Sequence, residues 1–166
     1  YEKQLWDDIQ KYDRIIHACF ALDRLQMMLY RVIDAKKRWI IPEDTLIFVD
    51  SVMGSKYILP YVRQAQRQDD KGLPNKNSPI HSIIDKDYSN KEKHGLERFA
   101  YYLDPINGEY ITIDYTNRES WMEAIQGKKA IFLTSSGMMD GGPIEDYLKK
   151  FISDPKTVFY SPWFLV

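Results

Sequence analysis

Ala130-Ile131-Phe132-Leu133-Thr134-Ser135-Ser136-Gly137-Met138-Met139-Asp140-Gly141-Gly142-Pro143 is the stretch that decides the fold. Its first five residues carry no charge and are mostly large and apolar, which fits a strand buried on both faces. They run into a turn holding two serines and three glycines. Pro143 then suits the first turn of a helix. Behind it, Ile144, Tyr147, Leu148, Phe151 and Ile152 share one helical face. A buried strand, a glycine-rich turn and an amphipathic helix form half of the unit from which parallel sheets are built.

The same alternation extends on either side. Tyr1 to Tyr12 reads as a short amphipathic helix on Leu5 and Ile9, and Ile15 to Phe20 as a buried strand. Leu22, Leu25, Met28, Leu29, Val32 and Ile33 keep helical spacing as far as Lys36-Lys37-Arg38. Pro42 with Glu43 and Asp44 marks a loop. Leu46 to Val49 is a second buried strand, closed by Asp50-Ser51, and a helix is expected from about Ser55, where Pro60 predicts a kink or an early stop. Gln68 to Ser78 reads as a surface excursion, and His81 to Ala100 yields only a short helix or strand at Leu96 to Ala100. Tyr101 to Leu103 and Tyr110 to Ile113, separated by Asn107-Gly108, predict a β-hairpin. Asn117 to Gly127 reads as a helix capped by Asn117 or Ser120, and Thr157 to Tyr160 as a last strand. The expectation is one α/β domain over residues 1–166, with a mostly parallel sheet flanked by helices and the hairpin as an antiparallel addition.

Among the 166 residues, 44% are hydrophobic and 28% charged, which excludes a disordered chain. Twenty-three Lys and Arg against 24 Asp and Glu leave a net charge of −1. A blanket basic surface for duplex binding is therefore absent, and any nucleic-acid contact belongs to a local patch or loop. The single cysteine, Cys19, excludes an internal disulfide and makes a reducing, cytoplasmic address the simplest expectation. No apolar run has the length of a membrane span and no signal peptide opens the sequence, so no membrane partner is expected. His17, His81 and His94 form no ligand pair, so no metal site is expected in this chain. Tyr1 in place of a methionine, with the apolar run up to Val166, is expected of a piece of a longer protein.

In parallel sheets ligands sit beyond the carboxyl ends of the strands. Three turns qualify: Phe20 to Arg24, Asp50 to Lys56, and Ser135 to Pro143. The last offers hydroxyls, close backbone approach and free N–H groups at a helix start, a setting that favours an anion. It lacks the Gly-Lys-Ser/Thr ending of a Walker loop and the spacing of a dinucleotide fingerprint. A glycine-rich connection without a ligand is the other reading. Asp50-Ser51 offers a carboxylate and a hydroxyl at the same edge, or else caps a helix. Lys56, Arg63 and Arg67 share a helical face that suits a phosphate backbone or plain solvent. Cys19 reads as a small buried hydrophobe. The 12 tyrosines offer stacking surfaces for bases, with core packing the safer reading.

Together these landmarks resemble the β-CASP domain of metallo-β-lactamase-fold RNA-processing nucleases. Ser135 to Pro143, followed by Tyr147-Leu148 and Asp154-Pro155, is similar to that family's Ser-Gly-Met-x-x-Gly-Gly-Pro signature. Phe20-Ala21-Leu22-Asp23-Arg24 with Gln26 is similar to its Phe-Ala-x-Gly-Arg-x-Gln opening, and Val49-Asp50-Ser51-Val52-Met53 to its Val-Asp-Ser-Pro-Met segment. The three matches keep the family's order and lie within Phe20 to Tyr160. Asp23 stands where glycine is usual, Val52 where proline is, and Ser161-Pro162-Trp163-Phe164 where Gly-Tyr-Gln is common.

The resemblance implies a Rossmann-like domain inserted in a larger protein, acting as a lid over a zinc cleft in the protein's own lactamase-like domain. The zinc, its His-x-His-x-Asp-His ligands and the later catalytic histidines are expected outside this chain, which itself contributes no catalytic residue and no cofactor. Single-stranded RNA is the expected partner, held by its phosphates at Ser135, Ser136, Gly137, Met138, Gly141 and Gly142, then at Arg24, Ser51 and Lys56. Two other classes are compatible with the residues. One is a free-standing nucleotide- or phosphate-binding α/β module; the other is a non-catalytic scaffold docking through Trp163 and Phe164.

Overall fold

The computed structural model describes residues 1–66, 92–125 and 127–161. Helix α1 (Glu2–Lys11) leads into strand β1 (Arg14–Ala18), and α2 (Arg24–Lys37) into β2 (Leu46–Asp50). Helices α3 (Val52–Ala65) and α4 (Glu92–Leu103) precede a short 3₁₀ turn (Pro105–Asn107) and strand β3 (Ile111–Thr112). Helix α5 (Arg118–Ala124), strand β4 (Ala130–Thr134), helix α6 (Ile144–Phe151) and strand β5 (Thr157–Tyr160) follow.

The strands form one five-stranded sheet in the order β3-β2-β4-β1-β5, every pair parallel. β4 occupies the middle, and all five of its residues are buried. Its register sets Phe132 beside Ile16 on one flank and Phe48 on the other. Alternation along the strands then divides the core. Ile15, Val49, Ile131 and Leu133 join Leu5, Leu29, Ile58 and Phe99, from α1 to α4, in one cluster. Ile16, Phe48 and Phe132 join Met122, Tyr147 and Phe151, from α5 and α6, in the other. There Phe48 stacks on Phe132 with centroids 4.8 Å apart, and Tyr147 tilts onto Phe132 at 5.0 Å. Each such fully buried ring contributes about 2–3 kcal/mol by leaving water.

The α/β class and the parallel sheet are as the sequence predicts, and β4 and β5 occupy the predicted residues. The hairpin is not formed. Tyr101 to Leu103 end helix α4, because Leu96, Phe99, Ala100 and Leu103 repeat at helical spacing and are all buried. Phe99 packs on Tyr30 of α2 with centroids 5.2 Å apart. Asn107-Gly108 does make a turn, with Gly108 at φ +66°, but it closes the 3₁₀ element. Ile111–Thr112 then pairs in parallel with Phe48–Val49 rather than folding back. Helix α3 begins at Val52, ahead of Ser55, and runs through Pro60 to Ala65 without the early stop. Pro60 is exposed, so water can serve the carbonyl its missing N–H leaves free. The predicted excursion from Gln68 to Ser78 lies outside the described residues, as do Arg67, His81, Trp163 and Phe164.

Candidate functional site

β1, β4 and β2 are neighbours, so their three carboxyl-terminal turns meet at one edge of the sheet. The loop after β4 is its centre. Ile144 donates its backbone N–H to Ser135 O at 2.9 Å, folding the loop back onto its own start. Gly137 is buried against the turn after β1, and a Cβ there would lie 2.8 Å from the Phe20 backbone nitrogen. Only a glycine allows that approach. Gly141 and Gly142 are exposed at φ +67° and +72°. The Ser135–Ser136 peptide is cis.

The hydroxyl of Ser136 accepts the Met138 N–H at 3.1 Å and donates to Asp140 at 3.3 Å. The Gly141 N–H is held by Glu145 Oε1 at 2.8 Å. Met138 is exposed beside them. Thus Ser135, Ser136, Gly137, Met138, Gly141 and Gly142 are brought together as one loop.

Arg24 opens α2 at the neighbouring turn and is exposed. Asp23, before it, has φ +60° and ψ −59°, and Arg24 donates its N–H to Leu22 O at 2.7 Å. These are the marks of a γ-turn of the rare, strained kind. Gln26 is fully buried, and its amide donates at 3.0 Å to both Ala21 O and Gly54 O. It staples the turn after β1 to the first turn of α3.

Ser51 does not face the edge. It is fully buried, and its Oγ accepts the Gly54 N–H at 3.0 Å as the cap of α3. The capping alternative therefore describes the hydrogen bond it makes here. Lys56 and Arg63 are exposed on α3. Cys19 is buried with its thiol pushed up to about 12 by desolvation, as befits an inert hydrophobe.

One cluster escaped the sequence reading. Asp50, at the end of β2 and 1% exposed, accepts two hydrogen bonds from Arg118, at 2.5 Å from Nε and 3.0 Å from Nη2. Tyr147 donates to the same carboxylate at 2.9 Å, and Arg118 Nη1 reaches Asp146 at 2.7 Å. Burial and the Asp50 charge push the Tyr147 hydroxyl far up, so it remains a donor. The network fastens β2 to α5 and α6 directly beneath the loop after β4. A cleft of about 410 Å³ opens beside it, lined by Arg118, Asp146, Lys149 and Lys150 among others. No single-sequence signal pairs residues 50 and 118.

His17 is buried, 3.4 Å from the Tyr1 hydroxyl and edge-on to Tyr160 at 4.6 Å. Desolvation lowers its pKa to about 3. Among the described residues no three His, Cys, Asp or Glu side chains converge as metal ligands, and no helix is long and apolar enough to cross a membrane.

No curated protein matches the sequence. A family match extends over residues 24–160, from the first residue of α2 to the last of β5. It covers most of the chain and takes in β4, the glycine loop and α6. On that match the chain belongs to the Beta-Casp domain family, the nuclease-associated domain of RNA-processing proteins built on the metallo-β-lactamase fold.

Proposed function

We propose that this chain is the substrate-clamping domain of a zinc-dependent metallo-β-lactamase-fold ribonuclease, holding single-stranded RNA by its phosphates on the loop after β4. The observation that carries the reading is the loop itself. It stands at the carboxyl edge of a parallel sheet and leads into a helix start, with Gly141 and Gly142 exposed and free of side chains and with the Ser136 hydroxyl in the same short loop. Arg24 on the neighbouring turn supplies a cation, and Lys56 on α3 a second one farther along.

The described residues do not fit a zinc site. His17 is sealed in the core and no ligand cluster converges. In this reading the metal is held by a lactamase-like domain into which this one is inserted, and this chain supplies substrate contacts only. Exposed apolar side chains support such a neighbour: Phe20 and Leu22 on the turn after β1, Val52 and Met53 at the start of α3, and Met138 in the loop itself. A reducing, cytoplasmic setting agrees with the lone buried thiol.

The test measures binding of a single-stranded oligoribonucleotide to the protein carrying this domain, unaltered and with Ser136→Ala or Gly141→Asp. Losing the hydroxyl contact is expected to weaken binding about tenfold, and placing a carboxylate at residue 141 by more. Equal affinity in all three proteins would overturn the reading.

A further inference from the structure

The carboxyl edge of the sheet carries a fourth turn, residues 114–117 between β3 and α5. Asp114 Oδ1 accepts the N–H groups of Thr116 at 2.8 Å and Asn117 at 3.3 Å, and Asn117 Oδ1 accepts the Asp114 N–H at 3.1 Å. The turn is fixed by its own side chains, and it holds out Tyr115 at 79% exposure. Of the tyrosines that offer stacking surfaces, this is one the core does not claim. Its ring lines the cleft of about 410 Å³, a size that suits a small ligand. From α6 come the exposed Lys149 and Lys150, at a spacing from Asp146 that gives all three one helical face. Arg118 adds a guanidinium that cannot swing away, because three of its five N–H donors are on Asp50 and Asp146. Lys149 Nζ lies 3.6 Å from Glu145, a loose and exposed pair.

We propose that this cleft seats one nucleotide of a single-stranded RNA, its base stacked on Tyr115 and its phosphate at Lys149 and Lys150. An aromatic ring sharing a groove with cations is how single strands are held with little regard to sequence. Glu119 and Asp146 line the same cleft and count against a bare phosphate or an acidic peptide there. They suit an amino-bearing base, which gives a carboxylate a donor. The inference rests on the reading of RNA as the partner and adds a contact outside the loop after β4. Helix α6 links the two: Lys149 and Lys150 follow Pro143, at the end of the loop, by six and seven residues, about 10 Å along the helix. A strand lying on the loop thus brings a neighbouring nucleotide to the cleft.

The experiment irradiates a single-stranded oligoribonucleotide carrying iodocytidine, which cross-links to an aromatic ring stacked on it, bound to the protein carrying this domain. The cross-linked peptide should contain Tyr115. Tyr115→Ala should abolish that cross-link and weaken binding about tenfold, and Tyr115→Phe, which keeps the ring, should restore both. Because Tyr115 is exposed, its truncation leaves the core packed. Lys149→Ala with Lys150→Ala should weaken binding severalfold. Binding that is weakened by Ser136→Ala yet unchanged by Tyr115→Ala, with the cross-link elsewhere, overturns this inference alone. Binding that depends on Tyr115 but not on Ser136 or Gly141 overturns the loop as the phosphate seat and supports the cleft. Failure of the unaltered protein to bind the strand overturns both.

Discussion

Asp23 combines an exposed carboxylate with a backbone conformation that costs on the order of 1–3 kcal/mol for a residue with a Cβ. Replacing it by glycine removes most of that strain and restores some disorder to the unfolded chain. Asp23→Gly is expected to stabilise the fold by about 1 kcal/mol, read as a rise of about 2–4 °C in Tm. His17 gives a second prediction at this scale. Burial holds its folded pKa near 3 against 6.5 when unfolded. Above pH 6.5 both states are neutral and the fold has its full stability. Below it the unfolded chain takes up the proton first, so stability falls as the pH drops from 6.5 towards 3, by on the order of 4 kcal/mol. His17→Leu should flatten that slope in unfolding titrations between pH 7 and pH 4. At residue scale the sequence showed that Asp23 departs from a glycine pattern, but not that its φ is positive. It left Ser51 open between ligand and cap, and the structure adds the cap hydrogen bond to Gly54.

Among the elements, the loop after β4 distinguishes two of its glycines. Gly137→Ala drives a methyl to 2.8 Å from backbone on the facing turn, where nothing flexible can yield. A loss of about 2–3 kcal/mol is expected, together with weaker substrate binding as the two turns part. Gly142→Ala meets its nearest atom at 3.4 Å and is penalised chiefly by its φ of +72°, at about 1 kcal/mol. Denaturant unfolding of the two variants should rank them in that order. Arg118→Ala strands the buried Asp50 carboxylate and is expected to cost about 3–5 kcal/mol, measured the same way. β4, its loop and α6 were legible because period, turn and helix start agree over adjacent residues. The hairpin was misread because Asn107-Gly108 specifies a turn without naming the strands it joins. The Asp50–Arg118 pair was illegible for a related reason: its partners meet only after the whole sheet has formed.

For the whole molecule, in the proposed RNA-holding role, a net charge of −1 limits how much of the binding would be counterion release. With one to three phosphates contacted at the loop, Arg24 and Lys56, log affinity should fall with log salt at a slope of about −1 to −2. A slope beyond about −5 in binding titrations would place the RNA on a basic surface outside this domain. The strand order has a further consequence, for the time course of biosynthesis. β1 and β2 leave the ribosome early, yet they have no ladder with each other, because β4 lies between them. Until residues 130–134 emerge, Ile15-Ile16 and Ile47-Phe48-Val49 are apolar strands with open edges. Such segments invite pairing with other chains. A nascent chain halted at residue 128 should therefore show no cooperative unfolding and should associate with hydrophobic-sequence chaperones. Extending it beyond residue 160 should release them together, as one strand inserted at the centre converts two orphaned halves into a sheet.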